Sequence, residues 1–201
     1  MKKIILTAII ALAVVTGIST SSSAATTTKA NVSTMVSEIK SFNQVEVRGN
    51  VKVYLTSGET DKVKVYNNYY GEDALVQQQN GVLRITSYGA EQLEIWVTVN
   101  DLTKLSAFDR AEIVSFGKFS AIDLALDLHN GAKAKLDLDA VKTSVVLTDH
   151  AKADLSGSAE TASVRYDRSA FLNTTDFSAT HLTTSFLTHL ECARPDELAS
   201  L

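Results

Sequence analysis

The C-terminal half of the sequence is built from a short internal repeat, and this repeat limits the fold more than any other feature. Four copies, 19 to 20 residues apart, share an alanine at the same position: Ala121, Ala140, Ala159 and Ala179. A unit of this length cannot bury an apolar face by itself, so consecutive copies must pack on one another. The repeat therefore predicts a stack of equivalent units.

Within each copy, apolar residues occupy every second position, which is the period of a β-strand with one buried face. They fall on even numbers from Ile122 to Ala140 and on odd numbers from Val145 to Ala159. A corner between two strands produces such a phase change, because one additional residue turns the following side chains to the opposite face. Two short strands and two corners per copy predict a parallel β-solenoid (β-helix) with coils of about 20 residues.

The same alternation begins earlier, at Val45, and continues through three further segments: Val51–Leu55, Val63–Val65 and Leu93–Val99. Asn80-Gly81 separates two alternating segments and predicts a β-hairpin with a two-residue turn. We therefore expect an all-β chain in which N-terminal strands and a hairpin precede the solenoid. A flat antiparallel meander or sandwich is the alternative fold.

The start of the chain has the pattern of a secretory signal peptide. Met1-Lys2-Lys3 is followed by an apolar run from Ile4 to Ile18 and by small residues at Ser22 and Ala24. The run is shorter than the ~20 residues that a membrane-spanning helix needs. We predict a signal peptide over 1–24, a flexible leader over 25–38 and one folded domain over 39–201. The protein would then be exported to the periplasm or the cell surface, with no membrane span after cleavage.

The composition is that of a globular chain, because 45% of the 201 residues are hydrophobic and a disordered chain has fewer. The formal net charge of −4 argues against a nucleic-acid partner, since nucleic-acid-binding proteins present basic surfaces. The single cysteine, Cys192, excludes an internal disulfide bond and is predicted to be a free thiol.

Several segments together resemble a known family. They are the predicted signal peptide, the opening Ile39–Leu55, which reads IKSFNQVEVRGNVKVYL, a strand ending at Trp96–Val99, and the degenerate coils that follow. This combination is similar to the putative auto-transporter adhesin head GIN domain family, from about Ile39 to the C-terminus. The resemblance implies a parallel β-solenoid exported by bacteria with an outer membrane, and it implies no established activity. The chain departs from the family at the coil turns, where glycine is kept only at Gly49 and Gly131.

Stacking in register would align the turns of successive copies into a column. The candidate ligand-binding residues of this turn column are Asp109, Arg110, His129, Asn130, Asp149, His150, Asp167 and Arg168. Such a row of acids, imidazoles and guanidiniums can bind a carboxylate or a sugar. One side chain per coil, about 4.8 Å apart, converges poorly on a metal ion, so we expect no metal site and no cofactor. We expect a structural role first: Asp149, Asp167 and the turn Asn bond backbone amides of the turns, His150 and Arg168 lie in solvent, and neighbouring charges pair across coils, with ligand binding as the alternative.

These features favour a non-enzymatic, adhesin-like module that binds envelope proteins or glycans, because a solenoid presents an extended, regular face. A first alternative is a carbohydrate-active enzyme that uses the outward carboxylates Asp137 and Asp139, about 7 Å apart and within the range of paired glycosidase acids. A second alternative is a periplasmic sensory or structural module. Asn67–Tyr70 is a polar–aromatic cluster at a strand end that can stack on a sugar or on a partner.

Overall fold

The computed structural model describes residues 34–35, 40–66 and 74–187. The predicted signal peptide, Cys192 and the cluster Asn67–Tyr70 lie outside the described residues. The described part forms twelve strands, and no helix within it is long and apolar enough to cross a membrane. The prediction of an all-β chain is confirmed.

The strands follow the alternating segments of the sequence. They are β1 (Thr34–Met35), β2 (Gln44–Gly49), β3 (Val51–Ser57), β4 (Lys62–Val65), β5 (Ala74–Gln79), β6 (Val82–Ser87), β7 (Leu93–Val99), β8 (Lys104–Phe108), β9 (Glu112–Leu128), β10 (Lys133–Leu147), β11 (Lys152–Tyr166) and β12 (Phe171–Phe186). β1 falls within the segment predicted to be a leader. β5 and β6 form an antiparallel hairpin around Asn80 and Gly81, whose φ angles of 52° and 77° are those that an Asn-Gly turn adopts.

All twelve strands belong to one mixed, mostly parallel sheet that curls around its core. The long strands β9 to β12 pair in parallel with one another, and β2 and β3 have parallel neighbours on both sides. Among the described strands, antiparallel pairing is confined to β1–β4, β4–β7 and β5–β6. The alternative of a flat antiparallel meander is wrong, because the copies of the repeat lie side by side in parallel.

The repeat sets the register of the long strands. β10 and β11 pair along their whole length in the register of the repeat, so that Leu136 lies beside Leu155 and Ala140 beside Ala159. The ladder between β11 and β12 shifts once, at an irregularity where β12 carries one more residue than β11. Equivalent side chains of successive copies therefore lie next to each other, and Leu136 and Leu155 are both buried.

Each long strand consists of two arms that meet at a corner. At the corner, the ladder pairing skips one residue of each strand, namely Ile122, Val141, Glu160 and Thr180. Burial changes phase at the same place in β10, where Leu138 and Ala140 are buried before the corner and Thr143 and Val145 after it. The predicted phase change is confirmed. The expectation that Ile122 continues the buried face is wrong, because Ile122 is the corner residue itself and is 74% exposed.

The stacking order of the first strands differs from their order in the chain. β2 lies between β6 and β8, and β3 lies between β7 and β9. The layer formed by β2 and β3 thus has a later layer on each side. β5 and β4 pair with the outer edges of β6 and β7, whereas β12 at the other end pairs only with β11 among the described strands.

Candidate functional site

The predicted turn column is present, because backbone hydrogen bonds carry the parallel register from the strands into the turns. The His129 N–H donates to the Ala107 carbonyl oxygen at 3.0 Å, and the equivalent amides of Thr148 and Asp167 donate to the strand before them. The turns of successive copies therefore align, as the repeat predicts.

One position of this column is filled by stacked side chains. The Arg48 guanidinium carbon lies 4.0 Å from the ring centroid of Phe108, and the Phe108 ring stacks on the His129 ring with centroids 5.1 Å apart. His129 Nδ1 lies 2.7 Å from Thr148 Oγ1. These contacts use both the ring face and a nitrogen of His129, so this histidine stabilises the stack of turns.

Asp167 is the buried member of the column, with 7% of its surface exposed. Its Oδ1 accepts hydrogen bonds from the Ser169 N–H, the Ser169 hydroxyl and the Ala170 N–H, and its Oδ2 accepts one from the Asp149 N–H, all at 2.8 Å. Burial alone would raise the pKa of this carboxyl, but the four hydrogen bonds outweigh it and hold the pKa below its usual value. Asp167 therefore stabilises its own turn and the preceding turn by hydrogen bonds.

The remaining candidates of the turn column do not converge. The side chains of Asp109, Arg110, Asn130, Asp149, His150 and Arg168 make no hydrogen bond or ion pair with another described residue, and most of them are exposed. Within residues 34–35, 40–66 and 74–187, no three His, Asp or Glu side chains come together as metal ligands. The column therefore presents separate polar and charged side chains to solvent and forms no common site.

The outward carboxylates take part in a network of mixed charge across the strands. Lys104 Nζ lies 2.9 Å from Asp127 Oδ2, and Lys142 Nζ lies 3.4 Å from Asp123 Oδ2. Asp139 Oδ1 accepts a hydrogen bond of 3.4 Å from the Ser158 hydroxyl. Such cross-strand pairs are an ordinary means of stabilising a sheet surface.

A second candidate site lies on the outer face of β4, β7, β3 and β9, where aromatic side chains surround Trp96. Its ring stacks on Tyr54 at a centroid distance of 4.9 Å and an interplanar angle of 27°. Phe116 and Tyr66 meet it at tilted angles, with centroids at 5.1 and 6.3 Å. Trp96 is thus held by three rings at a position where a strand normally presents polar side chains.

The sheet geometry explains this cluster. Tyr54 and Trp96 are register partners on β3 and β7, and both point outward because their neighbours in the chain are buried. Phe116 comes from an irregularity in β9, where the pairing with β10 changes from Lys135 opposite Val114 to Asp137 opposite Lys118. The inserted residues place Phe116 beside Trp96 and leave its side chain 63% exposed.

Trp96 also forms part of the lining of an open cleft of about 560 Å³, here called the aromatic cleft. Its lining residues are Gly58, Glu59, Thr60, Lys62, Lys64, Tyr66, Trp96 and Thr98. Lys62 lies opposite Thr98 and Lys64 opposite Trp96 in the β4–β7 ladder. Both lysines are exposed, and neither forms an ion pair with another described residue. The volume lies within the ~300–1,000 Å³ that small-molecule sites occupy.

A third lysine on this face, Lys52, forms an ion pair with Glu112. Lys52 Nζ lies 3.1 Å from Glu112 Oε1 and 5.5 Å from the Tyr54 ring centroid. The hydrogen bond to Glu112 raises the pKa of Lys52 above its usual value despite its partial burial. Lys52 therefore packs against the aromatic cluster as a paired cation, in contrast to the two lysines of the cleft.

The aromatic cleft is not among the sites that the sequence predicts. One signal was available, since Tyr54 and Trp96 occupy outward positions of strongly alternating strands where charged or polar residues are expected. The insertion that places Phe116 precedes Ala121 and therefore leaves the spacing of the four alanines unchanged. Its sequence signal is the distance from the turn to the alanine, which is ten residues from Ala111 to Ala121 and eight from Ala132 to Ala140.

Comparison with known proteins gives the family and the fold. The family model described as "Putative auto-transporter adhesin, head GIN domain" matches residues 41–188. A putative adhesin from Bacteroides fragilis superposes with a TM-score of 0.66 at 13% identity, covering 77% of this chain and 75% of that chain. A putative adhesin from Parabacteroides distasonis gives 0.59 at 13% identity, with 77% of each chain covered.

A third solved structure, a putative lipid binding protein from Parabacteroides distasonis, gives a TM-score of 0.57 at 12% identity over 77% of this chain and 78% of that chain. At this level of identity the likeness extends to the fold alone. No curated protein matches the sequence. The family match covers most of the chain, and the chain therefore belongs to the putative auto-transporter adhesin head GIN domain family.

Proposed function

We propose that this chain is an exported, non-enzymatic, adhesin-like module of the cell envelope, and that the aromatic cleft is where it binds a glycan. The observation that carries the proposal is the cluster of rings around Trp96 beside an open cleft of about 560 Å³. Exposed apolar surface rimmed by polar side chains is typical of an interaction site.

The proposal includes the architecture, a parallel β-solenoid whose coils are the copies of the repeat. Three observations support it: the constant register between β10 and β11, the skipped corner residue in each long strand, and the main core, to which both arms contribute buried side chains. A solenoid holds the outward side chains of neighbouring strands at fixed spacing, and such rigidity favours a preformed binding surface.

Binding without catalysis is supported by the placement of the carboxylates. Asp137 and Asp139, the acids of the enzymatic alternative, do not line the aromatic cleft. Glu59 is the single carboxylate among the lining residues, whereas glycoside hydrolysis by the common mechanisms requires two. A cleft with rings, hydroxyls and ammonium groups has the means to hold a ligand and lacks the pair of acids that would cleave it.

The test is a binding comparison between the wild-type protein and Trp96→Ala on an array of bacterial envelope glycans. We expect the variant to bind at least about tenfold more weakly, a loss typical of an aromatic residue at the centre of a site. Phe171→Ala removes an exposed aromatic ring from β12 and is expected to bind like the wild type.

Circular dichroism establishes that each variant is folded. If Trp96→Ala does not fold, Tyr66→Ala serves in its place, since Tyr66 lines the cleft at the edge of the cluster. Equal binding by the wild type and the folded cleft variant would overturn the proposal, and so would the absence of binding to any envelope glycan.

A further inference from the structure

We propose that the ligand of the aromatic cleft is an acidic carbohydrate, in which a pyranose ring stacks on Trp96 and a ring carboxylate contacts Lys62 and Lys64. This inference rests on the proposed function and adds to it the chemical class of the ligand.

The ring surface is held in place before a ligand arrives. Tyr54 stacks on Trp96, and Phe116 and Tyr66 lie against it at tilted angles, with centroid distances between 4.9 and 6.3 Å. A side chain already fixed by its neighbours loses little conformational freedom on binding, which favours affinity. The indole surface that lines the cleft suits the C–H faces of a pyranose, because those C–H groups are attracted to the electron-rich face of an aromatic ring.

The rest of the lining indicates a sugar rather than a lipid or an apolar peptide. A lipid requires a groove lined predominantly by apolar side chains. Here the rings of Trp96 and Tyr66 are accompanied by the hydroxyl groups of Thr60 and Thr98 and by charged groups. A pyranose has the matching distribution, with apolar faces and a rim of hydroxyl groups.

The charge of the cleft indicates an acidic sugar. Two lysines and one glutamate line it, so its formal charge is positive in a chain whose net charge is −4. Lys104 and Lys142 on the outer face are paired with aspartates, whereas Lys62 and Lys64 pair with no carboxylate of the described residues. Both lie on β4 at alternate positions and hence on the same face, beside Thr98 and Trp96. Two ammonium groups that have no carboxylate partner among the described residues, next to a ring surface, are complementary to a carboxylate on a stacked sugar.

The single tryptophan makes the test specific to this site, because all indole fluorescence arises from Trp96. The probes are oligogalacturonate, hyaluronan oligosaccharides and the fully methyl-esterified oligogalacturonate, which keeps the ring and removes the charge. We expect saturable changes of Trp96 emission with at least one acidic probe. We also expect the methyl ester of oligogalacturonate to bind at least about tenfold more weakly than the acid.

Variants that remove the charge of the cleft lysines test whether these lysines contact the carboxylate of the ligand. The double variant Lys62→Gln/Lys64→Gln should weaken binding of the acidic probe at least about tenfold and leave binding of the methyl ester unchanged. The matched control is Lys135→Gln/Lys152→Gln, two exposed lysines of β10 and β11 that do not line the cleft. Acid binding should also weaken as salt rises, because exposed charges are screened.

The two proposals fail in different ways. Equal affinity for the acid and its ester, with both lost in Trp96→Ala by calorimetry, would overturn the acidic-sugar inference and leave the cleft as the binding site. The same inference is overturned if no acidic probe changes Trp96 emission below about 10 mM while neutral glycans bind. Failure of every glycan to bind would overturn the proposed function itself.

Discussion

At the scale of single residues, Asp167 illustrates how a charged side chain is buried at a turn without serving a ligand. Its carboxylate accepts four hydrogen bonds of 2.8 Å, three from its own turn and one from the Asp149 N–H in the preceding turn. The pattern Asp-Arg-Ser-Ala at residues 167–170 is compatible with such a turn, and backbone bonding by Asp167 is what the sequence predicts. The same prediction is wrong for Asp149, because its carboxylate is exposed and accepts no hydrogen bond from another described residue.

We predict that Asp167→Asn lowers the free energy of unfolding at pH 7 by about 1–3 kcal/mol, because an amide replaces one acceptor oxygen by a donor. The folded-state pKa of Asp167 is depressed, so its contribution is fully present above the unfolded pKa of about 3.9 and is lost as pH falls through the lower folded-state value. Urea denaturation at several pH values measures this difference. Asp149→Asn is the control, with an expected change within about 0.5 kcal/mol. A wild-type-to-variant difference that stays constant from pH 7 down to the pKa of the folded state would contradict the prediction.

At the scale of elements, the ladder between β10 and β11 depends on one glycine. Gly157 lies opposite Leu138 and has a φ of 93°, a conformation that residues with a side chain rarely adopt. A Cβ at this position would collide with the backbone carbonyl oxygen and the backbone nitrogen of Leu138. The register of the repeat thus brings the two backbones together at a point where only glycine fits.

We predict that Gly157→Ala destabilises the fold by more than about 3 kcal/mol, since the neighbouring strand must move as well as the residue itself. Gly117→Ala is the matched control, because Gly117 has a φ of 79° but no atom within 4 Å of the position of its Cβ. It should lose only the conformational term of about 1–2 kcal/mol. Urea denaturation of both variants checks this, and equal losses would show that the contact with Leu138 is unimportant.

The pairing of the long strands could be predicted from the sequence. Each copy has an alanine before the corner and an alternation of apolar and polar residues on both sides of the corner. The sequence also predicted the hairpin at Asn80-Gly81. It could not predict the position of the β2–β3 layer, since the N-terminal strands carry no repeat that assigns their neighbours. The repeat period does not reveal the irregularity that exposes Phe116 either, because the additional residues of β9 precede Ala121 and leave the distance from Ala121 to Ala140 unchanged. The ring cluster around Trp96, to which Tyr54 of β3 and Phe116 contribute, depends on both features.

At the scale of the whole molecule, export decides whether the cleft meets its ligand. We predict that the mature protein begins at or near Ala25 and is recovered from the periplasm or the medium, because residues 1–24 have the charge, apolar run and small residues of a signal peptide. Mass spectrometry of the N-terminus checks this. Ala24→Arg should leave an uncleaved precursor and Ala30→Arg should not. An intact Met1 in the membrane fraction of wild-type cells would contradict the prediction.

The position of β2 between β6 and β8 has a consequence for how the chain assembles. Gln44 meets Val82 and Lys104, which lie far along the chain, whereas each residue of β10 meets its equivalent in the very next copy of the repeat. Closing a loop of about 60 residues costs about 1 kcal/mol more in chain entropy than closing one of about 20 residues. A polypeptide that emerges N-terminus first cannot flank β2 on both sides until Phe108 has emerged. Each later copy then pairs with a strand that is already in place, and this requires only the closure of a short loop. We therefore expect slow formation of the long-range contacts of β2 to be followed by rapid, sequential addition of β10, β11 and β12.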